Sequence, residues 1–238
     1  VLNAALRSTG GHISVISKDG VSLNHATADV TTAGGTVDVQ ADAGVAMVDG
    51  AVITSTGGAV RLQALGGDVT VGEIAAGAGS VALLASGSVL DLGTDTSTVD
   101  VTAARLLITA GAAIGASTNP LETAVGVLSA RTTTGSIFVS EADAVTVDAV
   151  SLSVNRVAAD GSTATAGTAV SQEDLVSGGD LVLVTLDGGI TTTLSTGEIT
   201  AAQDLLLSTG ESAEATVADV VLNAALRSTG GHISVISK

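Results

Sequence analysis

An anchor residue, small in every case but Gln203, followed two and four positions later by an aliphatic pair recurs nine times along this chain. The pairs are Ile13/Val15, Val37/Val39, Val60/Leu62, Val81/Leu83, Leu106/Ile108, Ile137/Val139, Leu181/Leu183, Leu205/Leu207 and Ile233/Val235. A spacing of two places both members on one face of a β-strand. The anchors ahead of them, from Gly11 to Gly231, are separated by 24, 23, 21, 25, 31, 44, 24 and 28 residues. A second apolar position follows ten or eleven residues after most of these anchors (Val21, Val45, Val69, Val89, Ile114, Val145, Ile190), and a third precedes the next anchor by five (Leu6, Val30, Ile53, Ile74, Val99, Leu226). Each turn of chain therefore holds three short strands separated by corners. That pattern predicts an all-β chain, a parallel β-helix or β-solenoid of roughly triangular cross-section. With the 44-residue interval read as two coils, there are about nine coils in 220 residues. An antiparallel sandwich also shows short strands at even spacing, but nothing in it keeps three strands in fixed phase.

Residues Val1–Lys18 recur letter for letter as Val221–Lys238, an offset of 220. Residues 1–220 thus read as one repeat unit of a tandem array, and 221–238 as the start of the next. The lack of an initial Met and of a secretory signal fits an internal stretch of such an array. The expectation is that the second copy lies in phase on the end of the first. Open, complementary ends would then favour head-to-tail self-association.

The chain is 45% hydrophobic yet has one Phe, no Trp and no Tyr. A globular core normally fills irregular space with aromatics, whereas Val, Leu, Ile and Ala suit a narrow interior of stacked rows. No apolar run approaches the ~20 residues that cross a bilayer, so the chain is expected not to span a membrane. With no Cys, disulfides and thiolate metal sites are excluded. The net charge of −16 disfavours nucleic acid as a partner and leaves divalent cations as possible ligands.

Several residues stand out as candidate sites. Asp19 and Asp42, with Asp143, Asp187 and Glu211 at equivalent positions, fall at the first corner of their coils. Stacking would bring Asp19 and Asp42 ~5 Å apart, where Ca2+ could bridge them, although a solvated acidic edge is the simpler expectation and no cofactor is required. Three residues after each anchor the side chain should face solvent: Ser14, Asp38, Arg61 and Ala82 do so as expected, while Leu107, Phe138, Val182 and Leu206 form an apolar strip. Such a strip suits lateral self-association, or else a loop covers it. Two stretches break the periodicity. Ala116–Thr123 carries the single Pro and should leave the coil. Val157–Asp174 is small and polar, a surface loop whose Asp160, Thr163, Thr165 and Gln172 are candidate ligand contacts. Insertions of this kind cost a solenoid little, so its removal should be tolerated. His12 should point outward into solvent.

The stretches Gly34–Met47 (GGTVDVQADAGVAM), Gly66–Val89 and Leu106–Val147 share the pattern G-G-x-V-x-V-x-A followed by G-x-V. In this they resemble the repeats of large bacterial surface and secreted proteins of the filamentous-haemagglutinin type. The resemblance implies a right-handed parallel β-helix, export to the cell surface, and a role in adhesion or fibre formation. No enzyme motif is present: there is no Walker loop, no H-E-x-x-H and no G-x-S-x-G. Basic residues are scattered singly and no aromatic surface is available to stack on sugars. The expectation is a non-enzymatic, extracellular structural module of a fibre or sheath. The alternative is an adhesin stalk or ligand-binding module for an unknown surface ligand.

Overall fold

The computed structural model describes residues 1–93, 98–166, 170–210 and 218–238. Their regular structure is 28 strands and no helix, so no helix is long and apolar enough to cross a membrane. The strands wind into a parallel β-solenoid with three faces. Taking Ile13–Ser17 as face one, the column Ile13, Val37, Val60, Val81, Leu106, Leu128 runs up it in register. Face two stacks Val21, Val45, Val69, Val89, Ile114, Ile137, Leu181, Leu205 and Ile233. Face three stacks Leu6, Val30, Ile53, Ile74, Val101, Thr123, Glu141, Thr185 and Thr209. Faces two and three each have nine levels, in agreement with about nine coils.

The aliphatic pairs point inward, as their spacing demands, and the columns close into one continuous interior. Each buried Val or Leu contributes ~1.5–3 kcal/mol, and it does so only when the coils above and below are present. Corners are tight because the backbone of one coil rests on the next. A Cβ on Gly35 would lie 2.1 Å from the Gly11 carbonyl oxygen, and one on Gly58 would lie 1.9 Å from that of Gly35. Hydroxyls close the same corners from inside: Thr32 donates to the Gly11 carbonyl at 2.6 Å and Ser55 to the Gly35 carbonyl at 2.9 Å.

Four expectations need correction. The 44-residue interval is one coil and not two, because Ile137 pairs directly with Leu181 and the chain between leaves the stack as a hairpin. The 31-residue interval holds a turn and a third, so 220 residues wind eight and a third turns, and the ninth level of face two, Ile233, belongs to the second copy. Within that interval, strand Leu121–Thr132 runs straight from face three onto face one, with Thr123 over Val101 and Leu128 over Leu106. The next anchored strand, Ile137–Glu141, consequently stacks on Ile114 of face two. The face-three position of the fifth coil is Val101 and not Val99, since Val101 pairs with Ile74. The excursion expected over Ala116–Thr123 shrinks to a tight turn in which Ala116 and Asn119 exchange backbone hydrogen bonds; Leu121 and Thr123 are buried.

The displaced phase has a consequence at the far end. Ile233, the copy of Ile13, lies in the face-two column over Leu205, whereas Ile13 itself lies on face one. Leu226, the copy of Leu6, stacks through Ile199, Leu175 and Ala130 onto face one, whereas Leu6 lies on face three. The closing copy therefore continues the stack, but it is turned by one face of the prism and is not in phase with the first.

Replacing Gly58 by Ala forces two coil backbones apart, and overpacking of this kind costs about 1–3 kcal/mol. Thermal melting followed by circular dichroism should show Gly58→Ala melting below the parent. Gly77→Ala, whose Cβ meets nothing within 4 Å but whose φ is +58°, should lose only the smaller backbone term, about 1 kcal/mol.

Candidate functional site

The interrupted coil produces the most distinctive surface. After Val147 the chain leaves face one, and Val150, Leu152 and Val154 alternate with the exposed Ser151 and Ser153. This period of two gives an apolar underside. It packs on Ala82 and Leu107, forming a second apolar cluster outside the solenoid interior. Strand Val150–Leu152 pairs antiparallel with Val170–Gln172, and Asn155–Val157 with Thr163–Thr165. The hairpin lies across the coils of face one like a strap, running from the seventh level back to the first.

Polar contacts fasten its far half. The buried Asp38 carboxylate receives Arg61 Nε and Nη2, both at 2.9 Å on Oδ1, and Arg156 Nε at 2.8 Å and Nη2 at 2.7 Å on Oδ2. Arg156 Nη2 also donates to Gln40 Oε1 at 2.9 Å. Two forked guanidinium groups on one carboxylate are a strong and directional arrangement. His12 Nδ1 accepts the Thr36 N–H at 3.0 Å, with the Asn155 side-chain amide 3.0 Å from Nε2. The Val157 N–H donates to Ser14 Oγ at 3.0 Å. Thus Ser14, Asp38, Arg61 and Ala82, expected to face solvent, lie under the hairpin, and His12 is half-buried for the same reason. A lone solvent-facing row and a lone polar loop satisfy each other.

The candidate loop residues separate accordingly. Gln172 is structural: its amide nitrogen donates to the Ile108 carbonyl at 3.0 Å, and its Oε1 accepts Thr109 Oγ1 at 2.6 Å. Asp160 holds the turn through Ser162 N–H and Oγ at 2.9 and 2.6 Å, and those hydrogen bonds keep its carboxyl below the usual range. Thr163 and Thr165 are exposed near the tip.

The apolar strip does not survive as one surface. Leu107 is fully buried beneath the hairpin, so it is no self-association residue. Phe138, Val182 and Leu206 stand together in register on face two, half-buried, and line a groove of about 470 Å³. Asp180, Asp204, His232 and Ser234 form its polar border. Asp204 Oδ1 accepts the His232 backbone N–H at 2.7 Å, which with the His232 ring lowers its carboxyl below the usual range.

Asp19 and Asp42 do lie on neighbouring coils, the Ala43 N–H donating to the Asp19 carbonyl at 3.1 Å. Both are exposed, and among the described residues no third ligand joins them. Glu211 lies outside the described residues. The carboxylates that do converge are Asp91, Asp100 and Glu122, whose ligand oxygens lie within 4.8 Å of one another. Such an oxygen set is the kind a hard divalent cation takes. Asp100 and Glu122 are buried; Asn119 Nδ2 donates to Asp91 Oδ2 at 2.6 Å, and the Glu122 N–H to Asp100 Oδ2 at 2.8 Å. Burial, reinforced by the hydrogen bond to Asp91, pushes the Asp100 carboxyl up to about 9. Glu141 is raised to about 7, also chiefly by burial. The anchor spacing hides this trio, because it makes Val99 the inward position. Register on Val101 and Thr123 puts Asp100 and Glu122 side by side.

Among family models, curated proteins and solved structures, none matches this chain. Its class is set by its fold, a parallel β-solenoid.

Two outcomes are expected from these contacts. Asp38→Ala leaves two largely buried guanidinium groups without their carboxylate, and breaking a buried pair costs about 3–5 kcal/mol. Denaturant unfolding should register that loss. Asp100 has a folded pKa above its unfolded value, so between about 4 and 9 the native state keeps a proton that the unfolded chain releases, and stability falls as pH rises. Asp100→Asn should flatten that slope and raise the melting temperature at pH 8 by at least ~2–4 °C, the shift of ~1 kcal/mol in a chain of this size.

Proposed function

We propose that this chain is a module of a tandem β-solenoid rod: a structural, non-enzymatic element of a fibre, stalk or sheath outside the cell. The observation that carries this reading is the behaviour of the repeated eighteen residues. Leu226–Ser228 and Ile233–Ile236 add a ninth level by parallel pairing on Ile199–Ala201 and Leu205–Thr209. Repetition then lengthens the rod without a new interface, since each coil interacts with its neighbours alone. The density of acidic groups keeps long rods apart in solution.

A bacterial exported protein of the filamentous-haemagglutinin type is the parent this composition and pattern suit best. The alternative of a ligand-binding adhesin module draws less support from the hairpin, because Asn155, Arg156 and Gln172 are engaged with the rod. Thr163, Thr165 and Asp160 remain as its outward groups.

Chains of one, two and three units, each unit being residues 1–220 and the last ending at 238, separate these readings. In negative-stain images, rod length should grow by roughly 40 Å per unit, eight and a third turns at ~4.8 Å. Beads joined by flexible links would overturn the rod.

A further inference from the structure

Among the described residues nothing fills the groove lined by Phe138, Val182 and Leu206, and the single aromatic residue of the sequence lies in it. Lower on the same face the outward row is Ser22, Ala46, Thr70 and Leu90, small or polar apart from the last. An apolar patch that occupies the sixth to eighth levels and ends against the next copy points to a covering segment supplied by the next unit. Its border identifies the occupant. Ser234 pairs with Leu206 at the groove, and His232 stands beside it. These are the copies of Ser14 and His12, which in this unit hold the hairpin through Val157 and Asn155.

The turn by one face completes the alignment. Face one of the following unit, over which its hairpin lies, continues face two of this unit. The column Ser14, Asp38, Arg61 of the next unit therefore extends downward from Ser234 through Leu206, Val182 and Phe138. In this unit the hairpin reaches the first level at Val157 and then turns, with Ala158 N–H donating to the Ser162 carbonyl and Gly161 N–H to the Ala158 carbonyl. The residues Ala158 and Ala159 carry it roughly 6 Å further at ~3.3 Å each, which exceeds the ~4.8 Å spacing of coils. The tip thus overhangs the level beneath, and Val157 is 40% exposed here. Within an array, that level is the groove.

We propose that the hairpin turn of each unit seats in the apolar groove of the unit before it, so that every repeat is strapped to its neighbour. The occupant is a second copy of this chain's residues Val157–Ser162, with Val157, Ala158 and Ala159 on Leu206, at the upper end of the groove. The next unit's Asn155 engages His232, and its Val157 N–H engages Ser234. The strap adds a contact across the unit boundary beyond coil stacking. It also places successive hairpins on successive faces of the prism, returning to the first face after three units. This inference rests on the tandem reading above.

The test uses the two-unit chain, residues 1–220 followed by 1–238. The parent has no cysteine, so single thiols report cleanly. Leu206→Cys in the first unit should react with a maleimide at least tenfold more slowly than the same substitution in the 238-residue chain. Paired with Ala159→Cys in the second unit, it should form a disulfide on mild oxidation. Pairing it with Ala159→Cys in the first unit should give none. Equal labelling rates and no cross-link, in a chain that images as one rod of double length, would overturn the strap and leave the rod standing. Two separate bodies in the images would overturn both. Should Leu206→Cys alone lower stability, Ala159→Cys provides the same comparison from the other side: in the second unit it should label at least tenfold more slowly than in the first.

Discussion

Parallel backbone pairing of each coil with the next is the interaction on which everything else depends. In-register parallel strands put each side chain over the corresponding one in the neighbouring coil, ~4.8 Å away. Columns of like residues result: Val21, Val45, Val69 and Val89 on one face, Val37, Val60 and Val81 on another. The interior is then too narrow for aromatics and needs none. The same constraint selects glycine at the corners, where the backbone of Gly58 rests on that of Gly35. It also forces hydroxyls to satisfy the corner carbonyls from within.

Stacking fixes axial neighbours but tolerates a change of phase, and the chain uses that freedom once. The 31 residues from Leu106 on face one to Ile137 on face two wind a turn and a third, and every later element moves round by one face. Polar residues then occupy a column that was apolar below: Thr123, Glu141, Thr185 and Thr209 sit above Val101. They are accommodated by hydrogen bonds, as in Thr123 Oγ1 to Glu141 Oε2 at 2.6 Å, while burial still raises the Glu141 carboxyl. The hairpin leaves one coil later and covers the older face. What would have been an exposed row of Asp38, Arg61, Ala82 and Leu107 becomes the floor of a second, smaller core.

How much can be read from residues alone depends on the range of the interactions. Spacings of two and of about 24 are local or periodic, so the solenoid, its three faces and its inward pairs are legible. The Asp38 lock is legible only by half: Arg61, 23 residues on, stacks one coil above it in the same outward row, but Arg156 reaches it from 118 residues away and no period places it there. In the sequence Arg156 is an isolated charge and Val150–Val154 an ordinary strand. The apolar strip is legible as composition, but its division is not. Leu107 and Phe138 occupy the same place in the anchor motif and yet lie on different faces.

The amino-acid sequence by itself determined the class of fold, the continuation of the stack by its repeated eighteen residues, and the want of aromatics that keeps the interior thin. All of these arise from periodic patterns that a single strand carries within a few residues. Tertiary structure alone decided the azimuth. The extra third of a turn between Leu106 and Ile137 turns the copy at Ile233 by a face, and a hairpin laid against the axis chooses which outward row is buried. Neither is encoded in a period. Each depends on where a chain segment lands after more than a hundred residues of winding, where a single added third of a turn carries through to every coil above it.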